Sequence, residues 1–266
     1  MPTLDQRLQR LARARFYAIV DTGYVEPKRI LYVTEQLVLG GVDLIQLRAK
    51  KLSLSAITEW GKRMRAIIPP TGPNFILNDH PELVPEIGAD GIHVGQNDLS
   101  VADARAKAGP EVIVGKSTHS LNQALAAEKE GADYIGVGPI YATPTKPDYV
   151  PVGPALIDQV RAAVRVPQFC IGGINEATLP EVLAAGAHRV VIVSALLQSE
   201  DIPAYCQRVR DQLERTERKK LIRNSLLGLF FLILIGLSIA FDHGKLALPF
   251  AILAIIIGCL PLSKLK

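Results

Sequence analysis

Thr143, Thr145 and Lys146 stand in a proline-punctuated loop that follows the strand-like run Tyr134–Gly138. Two hydroxyls and an ammonium at a strand end suit an anionic ligand, because they donate hydrogen bonds to phosphate oxygens while lysine adds charge. Alone, Thr-Pro-Thr-Lys also reads as an ordinary surface turn. Other strand-like runs, however, end in groups of matching kind. Gln46, Arg48 and Lys50 alternate at the end of the run Val42–Leu47, so an amide, a guanidinium and an ammonium converge on one side with no matched acid. That set suits a phosphorylated ligand with hydrogen-bonding edges; a solvated Arg-x-Lys at a loop start is the alternative. Asn78-Asp79 follows the next run, and Gly95-Gln-Asn-Asp98 the one after. Two carboxylates from neighbouring strand ends, without His or Cys, fit Mg²⁺ better than zinc. The competing role for Asp79 and Asp98 is to cap the helices that follow.

Further along, Gly115-Lys-Ser-Thr-His-Ser120 places Ser117 and His119 at a strand end, with Ser120 as a helix N-cap. His119 reads as a packing or hydrogen-bonding residue more readily than as a base. No Ser-His-acid or Cys-His set emerges, so covalent catalysis is not expected. Gly172 and Gly173 let backbone N–H groups approach a phosphate closely, and Val193-Ser194 adds a hydroxyl after the last run. Two anion poles result. The one with Gln46, Arg48, Lys50, Asn78, Asp79 and Asp98 suits a diphosphate with Mg²⁺; the one with Gly172, Gly173 and Ser194 suits a monophosphate. The chemistry implied is a metal-assisted transferase joining a diphosphate to a monophosphorylated acceptor.

Positioning these groups needs many strand ends at one face. Eight short apolar runs recur along the chain, Phe16–Val20, Val42–Leu47, Asn74–Leu77, Gly91–Val94, Val112–Gly115, Tyr134–Gly138, Gln168–Ile171 and Val190–Val193. Most are rich in Val and Ile, as strands buried on both faces should be. Helical patterns lie between them, and the joins repeat a signature: Gly-Gly-Val-Asp at 40–43, Gly-Ala-Asp at 88–90 and 131–133, and Gly-Ala-His at 186–188. The alternation predicts an α/β fold, a (β/α)8 TIM barrel with its chemistry at the C-terminal strand ends. An open doubly wound sheet would need a glycine-rich turn after the first strand, which Asp21-Thr-Gly-Tyr-Val lacks.

The chain has 266 residues, a net charge of +4 and 48% hydrophobic residues. The apolar excess lies at one end, in residues 225–241 and 246–262, two uncharged blocks of 17 residues each. That length approaches a membrane-spanning helix, and a transmembrane hairpin is expected in preference to a buried core hairpin. Residues 208–223 hold seven basic and three acidic side chains, a local excess equal to the charge of the whole chain. This favours a cytoplasmic barrel and a cytoplasmic C-terminus. Because the basic residues are not interleaved with aromatics, nucleic-acid binding is not expected. Cys170, Cys206 and Cys259 have no short metal-ligand spacing and read as reduced, buried thiols. The expected organisation is a lead-in over 1–15, the barrel over 16–213, a basic juxtamembrane linker over 214–224 and the hairpin over 225–262. A homo-oligomer is compatible with this reading.

Taken together, Gln46-Leu-Arg-x-Lys50, Asn78-Asp79, His93-x-Gly-Gln-x-Asp98, Ser117-Thr-His119, Gly136-Val-Gly-Pro-Ile, Thr143-Pro-Thr-Lys146, Ile171-Gly-Gly-Ile and Val193-Ser194 resemble thiamine phosphate synthase. The resemblance covers residues 14–213. It implies condensation of 4-amino-5-hydroxymethyl-2-methylpyrimidine diphosphate with a thiazole phosphate, or its carboxylated form, to give thiamine monophosphate and pyrophosphate. By motif, Gln46, Arg48, Lys50, Asn78, Ser117 and Lys146 would hold the pyrimidine diphosphate, with Arg48, Lys50, Ser117 and Lys146 as its catalytic groups. Asp79 and Asp98 would hold Mg²⁺. Thr143, Thr145, Gly173, Val193 and Ser194 would hold the thiazole phosphate. Ala49 and Asn97 stand where many members carry acids, and the membrane hairpin is an addition to the family's pattern. The rivals are a thiazole tautomerase, which would not need the Asn-Asp and Gly-Gln-x-Asp pair, and a tethered barrel without turnover.

Overall fold

The computed structural model describes residues 2–145 and 149–242. Eight strands, Phe16–Asp21 (β1), Leu44–Arg48 (β2), Asn74–Asn78 (β3), Gly91–Val94 (β4), Ile113–Thr118 (β5), Tyr134–Val137 (β6), Gln168–Cys170 (β7) and Val190–Ile192 (β8), close into a parallel barrel in chain order, with β1 beside β8. The helices are Leu4–Arg13 (α1), Ile30–Leu39 (α2), Leu54–Ile67 (α3), Val84–Ile87 (α4), Val101–Ala108 (α5), Leu121–Lys129 (α6), Ala155–Ala163 (α7), Leu179–Ala184 (α8), Ser194–Leu197 (α9) and Ile202–Asp242 (α10). This is the (β/α)8 architecture expected from the sequence. Ser53, Ser100 and Ser120 cap α3, α5 and α6, each accepting a hydrogen bond from a backbone N–H three residues on.

Two apolar layers follow from strands buried on both faces. Outside the strands, Val20, Leu47, Leu77 and Val114 pack with helical residues such as Leu37, Met64 and Val160. Inside the barrel, Tyr17, Tyr134 and Phe169 fill the lumen with Ile19, Leu44, Ile76, Ile113 and Val191, and Leu11 of α1 joins them. The three rings meet edge to face with centroids 5.5–6.0 Å apart, a favoured aromatic geometry.

The aspartates of the repeated join signature have a structural task. Asp43, Asp90 and Asp133 each precede a strand, and each clamps the strand before it. Their carboxylates accept the N–H groups of Phe16, Phe75 and Val114, while their own N–H groups donate back to the carbonyls of the same three residues. The reciprocal pair fixes the register of β1 with β2, β3 with β4 and β5 with β6. Asp133 is also held by Arg105 at 2.8 Å. Asp133→Ala is therefore expected to lower the unfolding free energy by about 2 kcal/mol, since it strands the Val114 N–H and takes the carboxylate from Arg105, which keeps the Val112 and Gly131 carbonyls. Urea unfolding checks this; an unchanged midpoint would show that the clamp contributes nothing.

The chain divides after Glu214 into two compact units. The first turns of α10 belong to the barrel unit, where Tyr205, Cys206, Val209 and Leu213 are buried. The segment expected as a linker, 214–224, is helical as part of α10, which in the second unit exposes Leu221, Ile222, Leu226, Leu227 and Phe231. Among the described residues no helix is long and apolar enough to cross a membrane, so the expected two-span hairpin is not seen there. Its first block falls at the end of α10, and its second, 246–262, lies outside the described residues.

Candidate active site

A cavity of about 250 Å³ opens at the C-terminal ends of the strands. Of the residues singled out from sequence, Gln46, Arg48, Asn78, Ser117, Thr143, Thr145, Gly173, Val193 and Ser194 all line it. Strand alternation explains the first two, since Gln46 and Arg48 share the inward face of β2. β5 runs three residues beyond its apolar core, so Ser117 sits within the strand and not in a loop. Lys50, Asp79 and Asp98 are not among the lining residues, and Lys146 lies outside the described residues.

The expectation that the cations have no matched acid is corrected. Arg48 Nη1 lies 2.6 Å from Asp21 Oδ2, and Lys50 is paired with Asp79. Asp21, at the end of β1, is 2% exposed and also accepts the Gly23 N–H at 2.8 Å. It therefore holds the guanidinium in one place, and the pair can meet an incoming anion without first ordering a long side chain. Asp21 carries no signal of this in the sequence, because it stands alone after the run Phe16–Val20 and its partner lies on the next strand.

Asp79 is the one non-glycine residue among the described residues with positive φ, at 69°, an outlier of the kind that clusters at functional sites. Its N–H donates to the His93 carbonyl, which ties the end of β3 to β4. Asp98 does not cap α5; Ser100 does. Instead Asp98 Oδ2 accepts the Gly95 N–H at 2.6 Å, and a Cβ at Gly95 would come within 2.7 Å of that oxygen. Each carboxylate is thus held by the protein through Oδ2. Among the described residues there is no cluster of three or more His, Cys, Asp or Glu that could cage a metal. Asp79 and Asp98 are the residues that could hold Mg²⁺, a cation that takes a few carboxylate oxygens together with water and substrate phosphates.

The other pole is built from the end of β7 and the loop after β6. Gly172 and Gly173 take φ of 100° and 64°, and the loop zips onto them through Ile140 N–H to the Ile171 carbonyl and Tyr141 N–H to the Gly172 carbonyl, at 2.8 and 3.0 Å. That contact carries Thr143 and Thr145 over the glycines. Thr145 Oγ1 also meets the Tyr24 hydroxyl at 3.1 Å, a partner from the loop after β1 that no local pattern signalled. Tyr24→Phe is expected to raise the KM of a phosphorylated acceptor about fivefold with kcat little changed, because one part-buried hydrogen bond that steadies Thr145 is lost. Steady-state kinetics with the acceptor varied check it, and an unchanged KM would remove Tyr24 from the site. His119 lines the cavity; its Nδ1 donates to the Gly138 carbonyl, and its ring meets that of Tyr149 at a tilt, centroids 4.8 Å apart, contacts of the hydrogen-bonding and packing kind expected for it.

Beneath the cavity a chain of side chains crosses the barrel. Gln46 Nε2 donates to the Tyr17 hydroxyl at 2.6 Å, Tyr17 meets Tyr134 at 3.0 Å, Tyr134 meets His93 Nδ1 at 3.1 Å, and His93 Nε2 meets Ser117 Oγ at 2.9 Å. Burial raises both phenols well above their ordinary pKa, so each keeps its proton. Burial likewise pushes Cys170 and Cys206 up to about 12, so neither supplies a thiolate; both are free, buried thiols as expected, and Cys259 lies outside the described residues.

Comparison with known proteins agrees with this geometry. A family model described as thiamine monophosphate synthase matches residues 16–196. A thiamine-phosphate synthase of Shouchella clausii is 40% identical over 205 residues, covering 77% of this chain and 98% of that protein. One from Halalkalibacterium halodurans is 41% identical over 194 residues, 73% of this chain and 92% of its own length. The solved thiamine phosphate pyrophosphorylase of Pyrococcus furiosus superposes with a TM-score of 0.70 at 29% identity, over 78% of this chain and 98% of that one.

Proposed function

Because this chain belongs to the thiamine monophosphate synthase family, we propose that its barrel joins 4-amino-2-methyl-5-(diphosphooxymethyl)pyrimidine to a thiazole phosphate, releasing thiamine monophosphate and pyrophosphate. The observation that carries this is the meeting of two anion poles in one cavity. Gln46, Arg48 and Asn78 stand at one, and Gly173, Thr143, Thr145 and Ser194 at the other. A tautomerase acting on the thiazole phosphate alone would not need the first.

In this reading the bond between the pyrimidine methylene carbon and the diphosphate oxygen breaks first, with its electron pair leaving on diphosphate. The thiazole nitrogen lone pair then forms the new carbon–nitrogen bond. Arg48, held by Asp21, donates hydrogen bonds to the departing diphosphate, and Lys50 and Lys146 add charge to it. Asp79 and Asp98 would hold Mg²⁺, which when bound supplies further positive charge at the diphosphate. Gln46, Asn78 and Ser117 orient the ring so that its methylene faces the acceptor held by the two threonines and the glycine turn.

The test follows thiamine monophosphate and pyrophosphate from purified protein, both substrates and Mg²⁺, with Asp98→Ala and a chelator as controls. Product that disappears under both controls supports the transferase and the metal role together. No product from folded wild type overturns the reading.

The apolar blocks 225–241 and 246–262, the exposed Leu226, Leu227 and Phe231, and the basic stretch before them support a further proposal: a two-helix membrane anchor that keeps the barrel on the cytoplasmic side. Chain truncated of residues 222–266 should leave the membrane fraction; if it still sediments there, the anchor is elsewhere.

A further inference from the structure

The five-residue chain at the floor of the cavity has a direction; its two ends line the cavity, as does His93 beside Ser117. Each member has limited hydrogen-bonding capacity. A buried neutral tyrosine has one proton to give, and a neutral imidazole has one donor and one acceptor nitrogen. With Gln46 Nε2 donating to Tyr17, the Tyr17 proton goes to Tyr134, the Tyr134 proton goes to His93 Nδ1, and His93 Nε2–H goes to Ser117 Oγ. The direction follows from the Gln46 amide, whose nitrogen faces Tyr17; with the amide turned over, every bond in the chain would reverse. Gln46 turns its carbonyl Oε1 toward the ligand as an acceptor, and Ser117 turns its hydroxyl proton toward the ligand as a donor.

We infer that Tyr17, Tyr134 and His93 are positioning residues that fix opposite hydrogen-bonding roles on Gln46 and Ser117, so that the cavity selects a heterocycle offering a donor to Gln46 and an acceptor to Ser117. The inference rests on the synthase reading above and names what sets its ring specificity. An aminopyrimidine offers such an edge, with an exocyclic N–H donor beside ring-nitrogen acceptors. Its oxo analogue exchanges donor for acceptor along the same edge. Accommodating that ring would require the Gln46 amide, only 2% exposed, to rotate and the His93 tautomer to change together, because a partial reversal places two donors or two acceptors face to face inside the barrel. Tyr17 and Tyr134 are buried in the lumen and act through their neighbours.

The experiment is calorimetric binding of the 4-amino and 4-oxo pyrimidine diphosphates, with Mg²⁺, to the full chain and to Tyr134→Phe and Tyr17→Phe. Phenylalanine keeps the edge-to-face packing and removes one link. Wild type should prefer the amino ring by about a hundredfold, and each variant should lose about tenfold of that preference. A merely structural role for the tyrosines would weaken both rings alike and leave the ratio standing, and that result overturns the inference. Wild type that binds neither diphosphate would overturn the synthase reading and this inference with it. Nitrogen-15 NMR of the wild-type protein gives an answer that does not depend on the variants folding. His93 should carry its proton on Nε2 and not on Nδ1, and the opposite tautomer overturns the assigned direction.

Discussion

Arg48→Met should lower kcat about a thousandfold in the condensation, and Asp21→Asn about thirtyfold, both with the barrel still folded. Arg48 is 18% exposed and anchored at 2.6 Å by a carboxylate that is itself almost fully buried. Preorganised charge of this kind acts where negative charge develops on the leaving diphosphate, and it needs no reordering when the bond breaks. Methionine keeps the length and loses the charge and the donors, so its effect falls on kcat more than on binding of the acceptor. Asp21→Asn is the finer probe. Asparagine still offers Oδ1 to the Gly23 N–H, but the Nδ2 that replaces Oδ2 cannot accept from Arg48, so the guanidinium keeps its charge and loses its anchor. Rate loss in Asp21→Asn should therefore be smaller than in Arg48→Met, and the double variant should be little worse than Arg48→Met alone. Steady-state kinetics on the three variants decide this. If Arg48→Met turns over at the wild-type rate, the diphosphate pole has been placed at the wrong strand ends.

What was legible in the sequence was what lies on one strand or one turn. The alternation Gln46-Leu-Arg48 gave both cavity residues of β2, and Ser120 before Leu-Asn-Gln gave a helix cap, because both follow from local geometry. The repeated Gly-x-Asp joins were visible as a repeat, but their clamp on the preceding strand was not, since Asp90 and Phe75 are brought together only by β3 pairing with β4. Asp21 and Arg48 belong to the same class. They meet because β1 and β2 pair in register, Asp21 opposite Arg48, and each residue alone looks like an ordinary strand end. The lumen chain was the least legible. Tyr17 and Tyr134 are separated by 117 residues, and on their own strands they read as core aromatics, which they also are. The acids that match Arg48 and Lys50 are hidden from the sequence for the same reason, since the barrel supplies Asp21 and Asp79 from the neighbouring strand ends.

The second large effect is expected at the monophosphate pole, where a single methyl group should be enough. Gly173 holds φ at 64°, and a Cβ there would stand 2.6 Å from Tyr141 Cβ and 2.7 Å from the Ala142 carbonyl oxygen. Neither neighbour is the end of a flexible side chain. Both belong to the loop that is hydrogen-bonded onto Gly172, so relief requires that loop to lift. Thr143 and Thr145 ride on it. Gly173→Ala should accordingly raise the KM of the thiazole phosphate about a hundredfold, as expected when positioning groups shift by about an ångström. The KM of the pyrimidine diphosphate should move by less than about threefold, because Gln46, Arg48 and Asn78 are carried by other strands. Backbone strain alone could mimic part of this. Gly131→Ala separates the two causes: that glycine has φ of 85° but nothing within 4 Å of its added Cβ, so it takes the strain without the collision. Gly131→Ala should lower the unfolding free energy by about 1 kcal/mol and leave both KM values unchanged. Equal losses of acceptor binding in the two variants would mean that the glycine turn does not position the threonines, and the monophosphate pole would have to be sought elsewhere in the cavity.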